Sequence, residues 1–333
     1  MADEPRLAVA VDEPADGPAD GPRLERPVTV RFRGDWGQAN MHRICGWLAQ
    51  ELGDRAPQGS RFAIWSGRGG LDQIAALRSG EADITVVTPT AAVHALHRAG
   101  KLAGLAALGV LGQRDRLVVA VDAGLPVDTV ADLAAIADRL TVATSPDDGV
   151  NLVGYAAHRA LRLAGVDPGT LRFRYDERPF PSLTRFTDGE TNVLIHEALP
   201  TPLWQQLDRV RPVRYLPWGD PVLETFAAEG WPTATVEAGF LPGLDRDLRT
   251  LDFSDFVLMC RDDLAGDLAH LVAWCLVGTR HALEAQYHHL DPAHSPVTWP
   301  IVPADLVRAP LPLHPAAARA YAELGLLHQP VVN

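Results

Sequence analysis

Lysine is nearly absent from this sequence, since Lys101 is the only lysine among the 30 Lys and Arg residues. Acidic residues number 42, which gives a net charge of -12 at pH 7. A chain with this excess of negative charge is repelled at long range by nucleic acids and by anionic membrane surfaces. We therefore expect neither of them as a partner.

Cysteine is also scarce. The three cysteines, Cys45, Cys260 and Cys275, lie far apart and lack the spacing of metal ligands. An odd number of distant cysteines favours reduced thiols in a reducing compartment. We expect each of them to fill space in a core rather than to react.

Long apolar runs are missing as well. The chain opens Met-Ala-Asp-Glu-Pro, without the basic and apolar regions of a signal peptide. No stretch approaches the roughly 18 apolar residues of a membrane span. The sequence predicts a soluble, cytoplasmic protein; the alternative is a misassigned start codon that hides an export signal.

Common catalytic motifs do not occur. The sequence contains no Gly-x-Ser-x-Gly, Walker A loop, dinucleotide fingerprint or His-Glu-x-x-His, so hydrolase, nucleotide and zinc-protease functions lose support. Two groups of histidines have no complete metal-ligand set around them and are predicted to be polar surface. These groups are His94 with His97, and His288, His289 and His294 with Asp291. We predict no cofactor and no metal site.

The length of 333 residues suits about two domains. Residues 1–26 are acidic and repeat Pro-Ala-Asp-Gly, without any periodic apolar face, and are expected to form a disordered tail. After Pro27, β-branched runs alternate with stretches of helical period. This pattern predicts an α/β protein with a largely parallel sheet.

Seven strands and seven helices are predicted up to residue 208. The strands are 28–32, 61–65, 83–87, 117–121, 140–143, 171–175 and 192–195, and the helices are 40–52, 71–79, 89–99, 129–138, 150–164, 181–188 and 200–208. A further strand is predicted at 253–260 and a long helix at 263–285.

The series divides into two halves. We predict one lobe from 27–114 and 225–333, and a second lobe from 115–224, with a hinge strand at 109–114. Ligands of open α/β sheets bind beyond the carboxyl ends of strands, so we expect ligand contacts from the strand-to-helix loops.

Several segments, in order, resemble one family. They are Arg33-Gly-Asp-Trp-Gly-Gln-Ala-Asn, Trp65-Ser-Gly-Arg-Gly-Gly-Leu-Asp, Ser79-Gly-Glu-Ala-Asp-Ile, Leu140-Thr-Val-Ala-Thr-Ser, Asp188-Gly-Glu and Pro312-Leu-His-Pro-Ala-Ala-Ala-Arg-Ala-Tyr-Ala-Glu-Leu-Gly. Residues 28–326 thereby resemble the TAXI branch of TRAP-transporter solute receptors, in the type 2 periplasmic-binding superfamily. The resemblance implies two lobes that close on a small organic acid or amino acid, with a TRAP permease as partner only if the protein is exported.

Loops after the strands supply the ligand contacts in such a fold. The candidate ligand-binding residues are Asp35, Trp36, Gln38, Asn40, Trp65, Ser66, Arg68, Thr88, Asp148, Asn151 and His196. Arg68 can anchor a carboxylate with bidentate geometry or remain a solvated arginine. Trp36 and Trp65 can stack on a flat ligand or simply pack.

The sequence departs from the receptor pattern at two loops. Asp35 and Trp36 replace small residues in the first loop, and Asp147 and Asp148 precede a helix of the second lobe. Carboxylates at a helix start can be caps. If they pointed into the cleft instead, they would favour an amine or another hydrogen-bond donor over an anion.

A histidine and a carboxylate end the strand 192–195. His196 and Glu197 can form an acid/base pair, contact a ligand or be structural. Two main functions stay open, and an interaction or sensor role is a third, minor alternative. One is ligand binding; the other is a cofactor-independent decarboxylase, dehydratase or other lyase, with His196, Glu197 and Asp35 as acid/base candidates and Arg68 as the carboxylate anchor.

Overall fold

A computed structural model of the protein describes residues 21–35, 39–198 and 201–327. Most of the predicted tail, residues 1–20, lies outside the described residues. Leu24, inside the predicted tail, is buried in a hydrophobic core, and its N–H donates to the carbonyl of Arg55 at 2.9 Å. Ordered structure therefore begins before Pro27, because one apolar side chain in a polar segment is enough to anchor it.

The strands are β1 Thr29–Gly34, β2 Arg61–Ser66, β3 Ile84–Val87, β4 Leu105–Leu111, β5 Arg116–Asp122, β6 Thr141–Thr144, β7 Arg172–Tyr175, β8 Val193–Glu197, β9 Val213–Tyr215, β10 Thr233–Val236, β11 Leu248–Asp252 and β12 Phe256–Arg261. The helices are α1 Asn40–Gly53, α2 Leu71–Arg78, α3 Thr90–Arg98, α4 Leu152–Leu163, α5 Pro179–Thr187, α6 Pro202–Val210, α7 Asp220–Ala228, α8 Gly266–Gly278, α9 Arg280–Glu284 and α10 Pro315–Glu323. Short 3₁₀ segments span Val130–Arg139, Pro168–Thr170, Pro292–His294 and Pro303–Asp305.

The seven predicted strands up to residue 195 are confirmed, each with small shifts at its ends. Three other predictions were wrong in detail. The segment predicted as helix 129–138 is a 3₁₀ segment, the predicted long helix 263–285 is divided between α8 and α9, and the strand predicted at 253–260 begins only at Phe256. The predicted hinge strand at 109–114 is the end of β4 followed by a connecting segment.

The strands form two sheets, one for each lobe. The first has the order β2-β1-β3-β12-β4, and the second has the order β10-β11-β5-β8-β6-β7, with β9 also paired to β5. In the first sheet β1 is parallel to β2 and β3, whereas β12 is antiparallel to β3 and β4. The predicted α/β class with two lobes is confirmed.

The chain crosses between the sheets twice. It leaves the first sheet through 112–115, after β4, and returns through 253–255, before β12. The second sheet thus extends to residue 252, beyond the predicted lobe boundary near 225, because β11 pairs with β5 and β10 pairs with β11.

Each lobe has its own core. In the first lobe α1, α8 and α10 cover the sheet, and the hydroxyl of Tyr321 donates to the carbonyl of Leu108 at 2.8 Å. In the second lobe α4 and α7 pack on one face and α5 and α6 on the other. Among the helices that the structure describes, none is both long and apolar enough to cross a membrane.

The first turn of α4 lies directly against the loop after β6. A Cβ atom on Gly154 would lie 2.0 Å from the carbonyl oxygen of Pro146, and the Gly154 N–H donates to Asn151 at 3.0 Å. The backbone of Pro146 cannot move aside for this Cβ atom as the end of a flexible side chain could. Gly154 therefore sets how closely α4 approaches the loop that ends at the cleft.

We expect Gly154→Ala to destabilise the protein by about 1–3 kcal/mol through overpacking. Gly46→Ala is the matched control, since Gly46 is also inside a helix but its Cβ would meet only the tip of Ile64 at 4.0 Å. Helix propensity predicts that this control stabilises the protein by up to about 1 kcal/mol. Urea unfolding followed by circular dichroism measures both changes; equal effects of the two substitutions would contradict the packing argument.

Candidate functional site

A cavity of about 310 Å³ lies between the two lobes, beside the chain crossings. Residues of the first lobe, of the second lobe and of the crossing at 112–115 all contribute to its wall. They are Asp35, Ala39, Asn40, Met41, Arg43, Thr88, Gln113, Asp115, Pro179, Phe180, Leu183, Glu197, Thr201, Pro202, Trp204, Phe256, His289, Leu290 and Pro296. We call this space the cleft cavity.

Asp35 follows β1 and lies at the N-terminal end of α1. Its side chain is buried, with 1% of the residue exposed, and its Oδ1 has no hydrogen-bond partner. Burial raises the pKa of Asp35 to about 7, although backbone N–H groups of Asp35 and His42 and the charge of Arg178 act in the opposite direction.

Two further carboxyl groups line the same cavity. Glu197 ends β8 and is half-buried, and Asp115 is buried in the crossing between β4 and β5. Burial raises the pKa of Glu197, and the charge of Asp35 raises it further. Burial also raises the pKa of Asp115, with a second contribution from the charge of Glu197. Ionised Glu197 therefore repels both ionised Asp35 and ionised Asp115.

None of these three carboxyl groups forms an ion pair with a Lys, Arg or His side chain in the described ranges of the chain. Asp115 Oδ1 does accept a hydrogen bond from the backbone N–H of Arg116 at 2.9 Å. Away from the cavity, Asp83 pairs with Arg31 at 2.7 Å, and buried Glu284 accepts from the N–H of Ile301.

His196 lies on β8 beside Glu197, at a smaller cavity of about 60 Å³ that is continuous with the same cleft walls. Its Nδ1 accepts from the N–H of Glu197 at 2.9 Å, so the proton of the neutral ring is on Nε2, which donates to the Ser145 hydroxyl at 3.3 Å. Burial lowers the pKa of His196 to about 4. The ring is neutral near pH 7, and both of its nitrogens are engaged.

Arg68 joins the two lobes. Its guanidinium, on the loop before α2, pairs with Asp148 and lies 3.1 Å from the carboxylate of Glu177, both in the second lobe. Next to it, the N–H of Leu71 donates to the carbonyl of Val150 at 3.0 Å. We call residues 68–71 and 148–152 the clasp.

The acids before α4 serve the helix start and the clasp. Asp148 Oδ1 accepts from the N–H groups of Val150 and Asn151 at 2.9 and 3.0 Å, and Asp147 lies 3.5 Å from Arg162. The sequence left two interpretations of Asp147 and Asp148 open, helix capping or a position inside the cleft. Their hydrogen bonds and ion pairs favour the first interpretation.

The structure brings most of the predicted site residues to the cleft. Asp35, Asn40, Thr88 and Glu197 line the cleft cavity, and Arg68, Thr88, Asn151, His196 and Glu197 line the smaller one. Trp65, which is 54% exposed, and Ser66 line neither. Trp36 and Gln38 lie outside the described residues.

Other cavity residues were not predicted. Asp115, Phe180, Trp204 and Phe256 come from the crossing, α5, α6 and β12. Only Asp115 had a signal in the sequence, because an acid at the end of a hinge segment must lie near both lobes.

A larger cavity of about 490 Å³ lies between α3, α4 and α7. Its wall is mainly apolar, and its charged residues, Arg98, Lys101 and Glu229, are exposed at the rim. It lacks the buried polar groups that fix the orientation of a ligand. We therefore regard the cleft cavity, although smaller, as the candidate site.

Within the part of the chain that the structure describes, no group of three or more His, Cys, Asp or Glu side chains has an arrangement that could hold a metal ion.

Two lobes joined by two crossings, with a cavity between them, define a periplasmic-binding-protein-like fold of the α/β class. The sequence profile of the NMT1-like family matches residues 48–325, and the chain belongs to that family. No curated protein matches the sequence.

Solved structures are similar to this chain at low sequence identity. The alkanesulfonate-binding protein SsuA from Xanthomonas axonopodis pv. citri, bound to MOPS, is 15% identical, covering 92% of this chain and 96% of its own, with a TM-score of 0.43. The aliphatic sulphonate binding protein SsuA from Escherichia coli is 17% identical, covering 91% and 95%, with a TM-score of 0.44. A TctC solute binding protein from Polaromonas is 11% identical, covering 91% and 100%, with a TM-score of 0.47.

The raised pKa of Asp35 predicts a pH-dependent stability difference. Folded Asp35 keeps its proton up to about pH 7, whereas an unfolded aspartate loses it near pH 4, so this group reduces stability as pH rises through that window. Asp35→Asn removes the effect. We expect the variant to gain about 2 kcal/mol relative to wild type between pH 5 and pH 7.5.

Urea unfolding at the two pH values measures this gain. Glu224→Gln removes an exposed carboxyl group on α7 and controls for the change in net charge. A difference between Asp35→Asn and wild type that stays constant with pH would show that Asp35 titrates normally.

Proposed function

We propose that this protein binds a small molecule in the cleft cavity by closing its two lobes. The observation that carries the proposal is the cavity itself, whose wall combines both lobes, one crossing and the buried carboxyl group of Asp35, whose Oδ1 has no hydrogen-bond partner. A mostly apolar pocket with a few convergent polar groups is the usual form of a small-molecule site.

The clasp supports the closing step. Arg68 and Leu71 reach Asp148 and Val150 across the lobes through an ion pair and a backbone hydrogen bond. These contacts form only when the lobes are close together. They also occupy Arg68, which weakens its predicted role as the anchor for a ligand carboxylate.

The finer assignments remain part of this proposal. We retain the TAXI-like assignment on the quoted motifs, most of which lie within the matched residues 48–325. The proposed cytoplasmic location is supported by three buried cysteines that form no disulfide. A TRAP permease remains a partner only for an exported protein.

A second function has a specific observation in its favour. Asp35 and Glu197 face one cavity, and a pKa near neutrality suits general acid/base chemistry. A cofactor-independent lyase on this fold would use these two carboxyl groups. His196 is a weaker acid/base candidate, because its nitrogens are engaged and its ring is neutral near pH 7.

Mass spectrometry separates the two functions. Small molecules released from natively purified protein are identified, added back and followed over time. Unchanged ligand at a 1:1 ratio supports binding and contradicts the lyase, whereas turnover that is lost in Glu197→Gln and Asp35→Asn contradicts pure binding. Protein that carries and binds no small molecule would overturn both.

Closure can be tested at Gly70, where an added Cβ would lie 2.4 Å from the Val150 carbonyl oxygen across the clasp. We expect Gly70→Ala to hold the lobes apart, to enlarge the radius of gyration in solution scattering, and to weaken binding of the released ligand at least about tenfold.

The matched control for this substitution is Gly69→Ala. Both glycines have a positive φ, at 79° for Gly69 and 56° for Gly70, so both substitutions carry backbone strain. The Cβ of the Gly69 variant, however, would meet only the Met41 methyl at 3.8 Å. Equal losses of affinity in the two variants would show that strain, and not lobe contact, is responsible.

A further inference from the structure

We propose that the cleft cavity recognises an organic cation, whose ammonium group is bound by Asp35 and Glu197 and whose apolar body packs on the aromatic wall. The inference rests on the proposed binding function and names its ligand class. It differs from the organic acid that the family resemblance implies.

The first step is the missing counter-charge. Asp35 is 1% exposed and its Oδ1 accepts no hydrogen bond, although burying an acceptor without a partner costs about 1–3 kcal/mol. Glu197 lines the same wall, and its carboxyl group is in no ion pair among the described residues. Asp115, also on this wall, accepts from the backbone N–H of Arg116 at 2.9 Å but pairs with no basic side chain in the same residues. A bound cation supplies the partner that the protein omits.

The second step is the chemistry of an ammonium group. It offers up to three N–H donors from a compact positive charge, which matches several carboxyl groups around one cavity. The hydroxyl of Thr201 also lines the cavity and has no hydrogen-bond partner. It offers a further acceptor to a donor-rich ligand.

The rest of the wall indicates an organic body. Trp204 and Phe256 are buried at 1% and 3% exposure, and Phe180, Leu183 and Leu290 complete an apolar surface. Aromatic faces attract cations as well as apolar groups. A hydrated metal ion would leave this surface without a contact, and the described acids have no metal-binding arrangement.

Among the described residues, the inner wall of the cavity has no basic side chain that could pair with an anionic ligand. Arg68 is occupied by Asp148 and Glu177, and Arg43 is the only arginine or lysine among the described residues of the cavity wall. Arg43 is exposed, so it can contact a second, acidic group of the ligand only at the rim. A carboxylate deeper in the cavity would face three carboxyl groups.

Affinity should depend on pH. The titratable or charged groups that face the cavity are Asp35, Arg43, Asp115, Glu197 and His289. Arg178 acts on Asp35 from nearby, and Arg116 and Asp252 act on Asp115. Protonated carboxyl groups cannot neutralise a cation. Binding should therefore strengthen as pH rises from 5.5 to 8 and should release on the order of one proton near pH 7.

The experiment compares ligands that share a carbon skeleton. Isothermal titration calorimetry with the full-length protein uses 2-phenylethylamine and pentylamine, each beside the alcohol and the carboxylate of matching skeleton, in two buffers of different ionisation enthalpy. We expect the amines to bind at least about tenfold more tightly than their counterparts, with proton release near pH 7.

Variants assign the effect to the cavity. Asp35→Asn and Glu197→Gln should each weaken amine binding at least about tenfold, while Glu224→Gln, which makes the same change in charge on the surface of α7, should have no effect. Circular dichroism verifies that each variant is folded.

The outcomes distinguish the inference from the function on which it rests. Tighter binding of a carboxylate or an alcohol, or release from the purified protein of a ligand without a cationic group, overturns the cation site and leaves ligand binding standing. Amine binding that is equal in Asp35→Asn, Glu197→Gln and wild type also overturns it. If no probe binds and no molecule is released, both proposals fail.

Discussion

The two adjacent chain crossings are the constraint on which the rest of this structure depends. The N–H of Phe253 donates to the carbonyl of Asp115 at 3.1 Å, which ties one crossing to the other. Arg116 adds hydrogen bonds to Asp252 at 2.9 Å and to the hydroxyl of Ser254. Because both crossings are fixed together, the lobes can separate only by bending at this point, and the cavity beside it opens or closes with them.

The crossings also connect to the end of β3. The side chain of Gln113 donates to the Thr88 hydroxyl at 2.9 Å, its backbone N–H donates to Asp255 at 3.0 Å, and the N–H of Thr90 donates to the carbonyl of Ser254 at 3.0 Å. Asp115 belongs to this network through its backbone carbonyl and through Oδ1, which accepts from the N–H of Arg116 at 2.9 Å, and it also lines the cavity. The hinge and the ligand site therefore share residues.

Most strands could be predicted because their β-branched runs are local signals. β4 could not, since Leu-Ala-Ala-Leu-Gly-Val-Leu has few β-formers and is a strand only because β12 pairs with it along its length. The extension of the second sheet to residue 252 has the same cause, because β11 is placed by its pairing with β5. Pairing between distant segments leaves no signal in either segment alone.

Part of the candidate site, like most of the strands, could be predicted from the sequence. Asp35, Thr88 and Glu197 could be found because each follows or ends a strand, and strand ends of open α/β sheets meet at one edge. Trp204 and Phe256 could not, since an aromatic residue in α6 or β12 has the same pattern whether it faces a core or a cavity. The pairing of Arg68 with Asp148 joins loops 80 residues apart, and only the assembled lobes bring them together.

That ion pair changes what the cavity selects. With Arg68 held by the second lobe, its positive charge contributes to closure, and the inner wall keeps three carboxyl groups. In an open cleft, water solvates these groups at little cost; closure removes that water and makes their ionised forms expensive. A cation in the cavity cancels this cost only in the closed form, so it binds that form more tightly and shifts the lobes towards it. Recognition of charge and closure of the lobes are therefore one equilibrium in the proposed mechanism.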